Sequence, residues 1–253
     1  MMQGSIEFFK RWLENEKGYS DHTISGYSRD LTEFSNFTGQ QKKPSEIANE
    51  DIRSFVSGLH GRNSASTVSR KLSALRTFFR FLIREGKIVD NPLTGISGPK
   101  SGRSIPAFLT VDEVFSLLES PDSRDTFRRR DRAILELLYS TGIRVAELVS
   151  RDTEDLDFDV EMLRVTGKGN KQRLVPVGRP ALEAIMQWLK EREGIICSRS
   201  AKGQQVATAA LFINSRGGRL TTRSIERFVI KYSQRAGLRQ AVTPHALRHS
   251  FAT

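Results

Sequence analysis

The 253-residue sequence predicts a fold that is mainly α with a small antiparallel β-sheet, divided into two domains. Three observations predict it. Apolar residues recur at helical spacing through residues 6–84. A stretch with three prolines and three glycines and no periodicity interrupts the chain between 90 and 106. Beyond it, helical segments flank a short run of alternating segments between 156 and 177, with glycine-rich turn chemistry inside that run.

The first domain is expected over residues 1–98. Ile6, Phe9 and Leu13 mark one helix, Ile24, Tyr27, Leu31 and Phe34 a second, and Ile52, Phe55, Val56 and Leu59 a third. The clearest stripe is Val68, Leu72, Leu75, Phe79 and Leu82, which alternates steps of four and three and is read as core. Its basic flank, Arg70, Lys71, Arg80 and Arg84, is either solvated surface or a face for a DNA backbone. A linker is expected over 99–106, and the second domain over 107–253.

That domain opens with "TVDEV", a capping box of Thr110 and Glu113. A buried helix, "RDRAILELLYSTG", is predicted to end at Gly142, and a short helix starts at Val145. "LDFDV", "MLRVTG" and "QRLVPV" read as strands, with "GKGNK" turning between the last two. Helices follow over 180–192 and 222–236, and a last one begins at Thr243, with Pro244 at its first position.

Composition narrows the function. The single cysteine, Cys197, excludes an intramolecular disulfide framework and has no histidine near it in sequence to make it a nucleophile. No apolar run approaches the roughly 20 residues of a membrane span, and the N-terminus lacks the layout of a signal peptide, so a soluble, cytoplasmic protein without membrane partners is expected. The formal charge is +11 and unevenly spread. Residues 210–253 hold eight basic residues (Arg216, Arg219, Arg223, Arg227, Lys231, Arg235, Arg239 and Arg248) against one acid, Glu226, whereas 147–161 hold seven acids. Such a field suits a polyanion, most often nucleic acid, and is also compatible with a solvated surface or an acidic protein partner.

The candidate chemistry lies in three segments. "STGIRVAEL" places Arg144 after a helix-ending glycine, with Glu147 three residues on to orient it. "GKGNKQR" presents Lys168 at a hairpin tip. "TPHALRHSFAT" sets His245 and Arg248 at i and i+3 on one helix face. His245 and His249 have the spacing of a helical zinc pair, but H-A-L-R-H lacks the glutamate of H-E-x-x-H and the other histidines, His22 and His60, belong to the first domain. Two guanidiniums, an ammonium and an imidazole suit a phosphodiester instead. Arginine forks hold non-bridging oxygens, lysine can protonate a leaving alkoxide, and histidine can act as base or hydrogen-bond donor.

In that order these segments resemble the tyrosine recombinases of the phage-integrase family, and among them the bacterial Xer type. The resemblance also covers "EKGYSDHTISGYSRDLTEF", "SASTVSRKLSALRTFFRFLIREGKIVDNPL", "RDRAILELLYSTGIRVAEL", "VTGKGNKQRLVPVG" and "LFINSRGGRLTTRSIER". It implies a two-domain DNA-breaking-rejoining architecture: a helical SAM-like core-binding domain and a catalytic domain, closing round a duplex as a clamp. It assigns Arg144, Lys168, His245 and Arg248 to catalysis. A tyrosine of this family attacks the scissile phosphate and leaves a 3′-phosphotyrosine and a free 5′-hydroxyl, with no metal or other cofactor. The family places a further His or Trp and then that tyrosine after the second arginine. The chain is therefore expected to be a recombinase lacking its C-terminal nucleophile segment, since Tyr19, Tyr27, Tyr139 and Tyr232 match no nucleophile motif.

Partners implied by the resemblance are a double-stranded DNA recombination site, a sister Xer recombinase in a tetrameric synapse and a septal DNA translocase. The setting is the bacterial nucleoid and the task is resolution of chromosome dimers. Two alternatives stand beside this reading: a cleavage-dead DNA-binding module, and a mobile-element integrase of the same family.

Overall fold

The chain packs as two units, Met1–Ser104 and Ile105–Thr253. The computed structural model describes residues 1–99, 109–238 and 242–251, and only the backbone at 168, 245, 249 and 251. The linker expected over 99–106 lies, apart from Pro99, outside the described residues.

The first unit holds four helices, α1 (Met2–Asn15), α2 (Asp21–Thr38), α3 (Asn49–Leu59) and α4 (Ala65–Arg84). Ser20 and Ser64 cap α2 and α4 by accepting the amide N–H of the residue three further on. The expected stripes converge on one core, in which Phe9 meets Phe78 edge-on at 5.4 Å and Phe34 meets Phe55 at 5.1 Å. The basic flank of α4 is divided. Lys71 is only 5% exposed and pairs with Glu33, while Arg70 pairs with the buried Asp30. Two carboxylates of α2 thus neutralise half of that flank, because burial of a charge requires a partner.

The second unit contains α5 (Val111–Glu119), α6 (Arg128–Thr141), α7 (Val145–Val149), β1 (Leu156–Asp157), β2 (Met162–Thr166), β3 (Gln172–Pro176), α8 (Arg179–Ser200), α9 (Thr222–Arg235) and α10 (Pro244–Phe251). The capping box closes as expected: the Glu113 amide donates to Thr110 Oγ1 at 3.2 Å and the Thr110 amide to Glu113 Oε2 at 2.9 Å. Gly142 ends α6 in the left-handed conformation (φ 57°), where a β-carbon is strained. The sheet is antiparallel in the order β1-β2-β3, with Val165 opposite Arg173 and Thr166 opposite Gln172.

Two elements differ in length from expectation. The segment read as a strand over 156–160 pairs only at Leu156 and Asp157, because the Asp157 carboxylate accepts the amides of Asp159 and Val160 and turns the chain. Helix α8 runs on to Ser200. Its buried side chains end at Arg192, so the apolar pattern read in the sequence marks only its packed part.

Segment 210–213 is buried in the core and meets its neighbours through two isolated bridges, Ala210 with Asp152 and Ile213 with Arg219. Three of its carbonyls are satisfied by side chains: Trp188 Nε1 donates to Leu211 O at 2.9 Å, Arg192 Nε to Ala210 O at 2.8 Å and Arg130 Nη1 to Ile213 O at 3.1 Å; Phe212 O accepts the Leu220 amide at 3.2 Å. Among the described residues no helix is long and apolar enough to cross a membrane.

Candidate active site

Helix α6 stops at Gly142, and the left-handed turn delivers Arg144 to the N-terminus of α7 with an extended backbone. There the Arg144 amide donates to Glu147 Oε2 at 2.8 Å and Nη1 to Glu147 Oε1 at 3.2 Å. The Arg144 side chain remains 62% exposed, so it is oriented by Glu147 and still open to a ligand.

Arg248 comes from α10, 104 residues later in sequence, and lines the same cavity of about 370 Å³ as Arg144, together with Ile143, Val145, Glu226, Ile230, Thr243 and Pro244. Thr243 caps α10, accepting the Ala246 amide at 3.3 Å. The Nη1 atom of Arg248 is buried and has no hydrogen-bond partner among the described residues. A buried guanidinium nitrogen in that condition is costly, and an anion in the cavity would satisfy it.

The structure therefore brings two of the four expected site residues together. Of the other two it describes the backbone. Lys168 begins the helical turn Lys168–Asn170 between β2 and β3, with Gly169 and Asn170 at positive φ, and the Gly167 amide donates to Lys171 O at 2.8 Å to close it. His245 lies in the first turn of α10.

The site also contains what the sequence did not single out. Arg173 on β3 donates from Nη1 to Glu147 Oε1 at 3.0 Å and from Nη2 to Oε2 at 2.9 Å. The Glu147 carboxylate is thus shared by two arginines. Burial works to raise its pKa, but the bonds from Arg173 and from the Arg144 amide outweigh burial and hold it below the ordinary value of 4.5. Such a group stabilises the fold fully above its unfolded value, and this contribution is lost as pH falls through the lower folded value. Wild type is accordingly expected to lose stability in acid urea titrations below about pH 4.5 more steeply than Glu147→Gln. Equal slopes would show that the carboxylate carries none of the acid dependence.

The tyrosines stand elsewhere. Tyr232 is fully buried and donates to Asp131 Oδ2 at 2.8 Å; burial first, and then the Asp131 carboxylate, push its phenol far above the ordinary range. Tyr27 and Tyr139 pack half-buried against the two cores, and Tyr19 stacks edge-on against Tyr27 in the first unit.

The basic count of residues 210–253 is also redistributed. Arg219 pairs with Asp152, and Lys231 and Arg235 both pair with Asp125. Arg239 lies outside the described residues. Arg223 and Arg227, one turn apart on α9, line a second surface concavity with Glu226 and Ile230, which also border the Arg144–Arg248 cavity.

Known proteins resemble both units. Residues 107–253 match the Phage integrase family and residues 6–86 the Phage integrase N-terminal SAM-like domain. The chain is 41% identical to the tyrosine recombinase XerC of Syntrophus aciditrophicus over 264 residues, covering all of this chain and 84% of that protein. It is 44% identical over 251 residues to the XerC of Thermodesulfovibrio yellowstonii, covering 98% and 81%. Both relatives are XerC proteins, in line with the resemblance to the Xer type. Among solved structures, the XerH site-specific recombinase bound to palindromic difH substrate in a post-cleavage complex superposes with a TM-score of 0.71 at 25% identity, over 90% of this chain and 67% of that one. A lambda integrase tetramer bound to a Holliday junction shares the fold, with a TM-score of 0.73 at 19% identity, over 99% and 68%. With two family matches that together span most of its length, and with relatives above 40% identity, the chain belongs to the tyrosine recombinases of the phage-integrase family.

Proposed function

We propose that the cavity between Arg144 and Arg248 holds the scissile phosphate of a DNA recombination site, and that the protein exchanges strands there by cleavage and rejoining. The observation that carries this reading is the pairing of the two guanidiniums in one cavity, one exposed and held by Glu147, the other with a buried nitrogen that has no partner among the described residues. Together they supply fixed positive charge where a phosphodiester gains negative charge in a five-coordinate transition state.

The steps follow from the residue chemistry. The family's tyrosine oxygen bonds to phosphorus and its proton passes to His245, acting as base. The bond from phosphorus to the 5′-oxygen breaks, and the Lys168 ammonium gives that oxygen its proton. The 5′-hydroxyl of the partner strand then attacks the phosphotyrosine and reverses the sequence. Each step exchanges one phosphate ester for another, so the bond energy is kept.

Arg223 and Arg227 stand beside the cavity and suit the phosphates flanking the scissile one. We assign to the same reading a sister recombinase in a tetrameric synapse, a septal DNA translocase, the resolution of chromosome dimers and a place on the bacterial nucleoid in the cytoplasm. The support for these is the Xer-type resemblance and the basic face.

A nicked suicide duplex tests the reaction. The 253-residue chain is expected to shift the duplex without forming a covalent adduct, since none of its four tyrosines lines the cavity. The protein carrying the family's tyrosine after the second arginine is expected to trap it covalently. An adduct on the 253-residue chain would refute this placement of the nucleophile.

A further inference from the structure

We infer that Arg173 is a positioning residue, which seats the hairpin turn carrying Lys168 against the Arg144 end of the site. The inference rests on the assignment of Lys168 and Arg144 to the reaction. It arises from a chain of contacts that runs from the helical body to the hairpin tip.

Glu147 is the anchor. Its side chain is 7% exposed, and it takes two bonds from Arg144 and two from Arg173. Arg151 fixes the helix that carries it, donating to Glu147 O at 3.1 Å and to Arg164 O on β2 at 2.9 Å. That second bond holds the middle of β2. Toward the tip β2 is anchored by Val165, which is fully buried opposite Arg173, but β3 itself is exposed at Gln172, Arg173 and Leu174, the last at 66%, and adds no apolar anchor there. The two-pronged pair of Arg173 with Glu147 is the polar tether at that end.

The turn lies directly on this tether. Gly167, the residue before Lys168, approaches so closely that a β-carbon there would stand 3.1 Å from Arg173 Nη1 and 3.7 Å from Glu147 Oε1. Gly167 has an ordinary negative φ of −98°, so the closeness is one of space and not of backbone conformation: a β-carbon there would press the Arg173 guanidinium back by a few tenths of an ångström. The planar fork of Arg173 therefore forms the surface on which the turn rests. A lysine could neutralise Glu147 but could not present that surface or reach both oxygens.

Removing Arg173 leaves Glu147 bonded to Arg144, so the Arg144 guanidinium keeps its support. What is lost is the seat of the Lys168 turn. The expected defect is thus in protonation of the leaving 5′-oxygen and not in neutralisation of the phosphate. A substrate with sulfur in place of that oxygen separates the two, because a thiolate leaves without a proton.

The experiment uses the full-length protein and one duplex made with an ordinary or a 5′-bridging phosphorothiolate scissile linkage. Arg173→Gln is expected to cleave the ordinary linkage about 10- to 100-fold more slowly than wild type, the scale of a misplaced catalytic group. It is expected to cleave the phosphorothiolate within about threefold of wild type, and the same is expected of Lys168→Ala. Arg144→Ala is slow on both substrates. Arg173→Lys shows the same pattern at smaller amplitude and carries the comparison if Arg173→Gln does not fold. Wild-type speed of the Arg173 variants on the ordinary linkage overturns the inference, and so does an equal loss on both substrates, which would make Arg173 a support of Arg144 or of the fold. Failure of the underlying site assignment looks different: Lys168→Ala or Arg144→Ala would then retain ordinary cleavage.

Discussion

Arg248→Ala in the full-length protein is expected to lower strand cleavage by about 10²–10³-fold, the cost of removing one pre-positioned donor from an oxyanion site. DNA affinity should fall far less, because it is spread over many phosphate contacts of which this is one. The structure adds a second expectation. Among the described residues Arg248 Nη1 is buried without a partner, so in the DNA-free protein leaving that N–H unpaired is a cost. Truncating it removes that cost along with some packing, and the melting temperature should stay level or rise. Cleavage on a nicked suicide duplex, a gel-shift titration and a thermal melt read the three quantities separately. Normal cleavage by the variant would refute the assignment, and a large drop in melting temperature would make Arg248 a structural residue. Arg248→Lys should behave nearly as badly as alanine, since an ammonium cannot bridge two non-bridging oxygens.

Trp188→Ala is expected to destabilise the second unit by about 3–5 kcal/mol, the range for truncating a buried aromatic side chain. The indole is fully buried, and its Nε1 is the donor that satisfies the carbonyl of Leu211. The variant therefore loses apolar contact and leaves an acceptor unpaired inside the core. Trp188→Phe keeps most of the volume and loses the bond, and should cost about 1–3 kcal/mol. In a scanning melt the transition of residues 105–253 should fall by about 6–20 °C while that of residues 1–104 does not move. A shift of both transitions together would show that the two units unfold as one.

The legible parts of the fold were those governed by local rules. The Thr110–Glu113 capping box, the Gly142 stop and the Pro244 start each depend on residues within one turn of one another, and each is found where the spacing places it. The stripe on α4 is buried as its steps of four and three require. The strand over 156–160 was misread because Asp157 competes with the sheet for the next two amides, and alternation of residue types does not register that competition. Charge was the least legible quantity. Counting residues 210–253 could not reveal that Arg219, Lys231 and Arg235 are consumed by Asp152 and Asp125, since those acids lie far away in sequence.

By itself the sequence determined the elements and the family: helical periods, caps and turn glycines act over a few residues, and the order of Arg144, Lys168, His245 and Arg248 is a linear pattern. Only the tertiary structure decided that Arg144 and Arg248 line one cavity and that Arg173 shares Glu147 with Arg144. The physical reason is range. A hydrogen bond or a cavity depends on angles and on distances of a few ångströms, and those are set by how α10 and the β2–β3 hairpin pack against α6 and α7, which no spacing along the chain encodes.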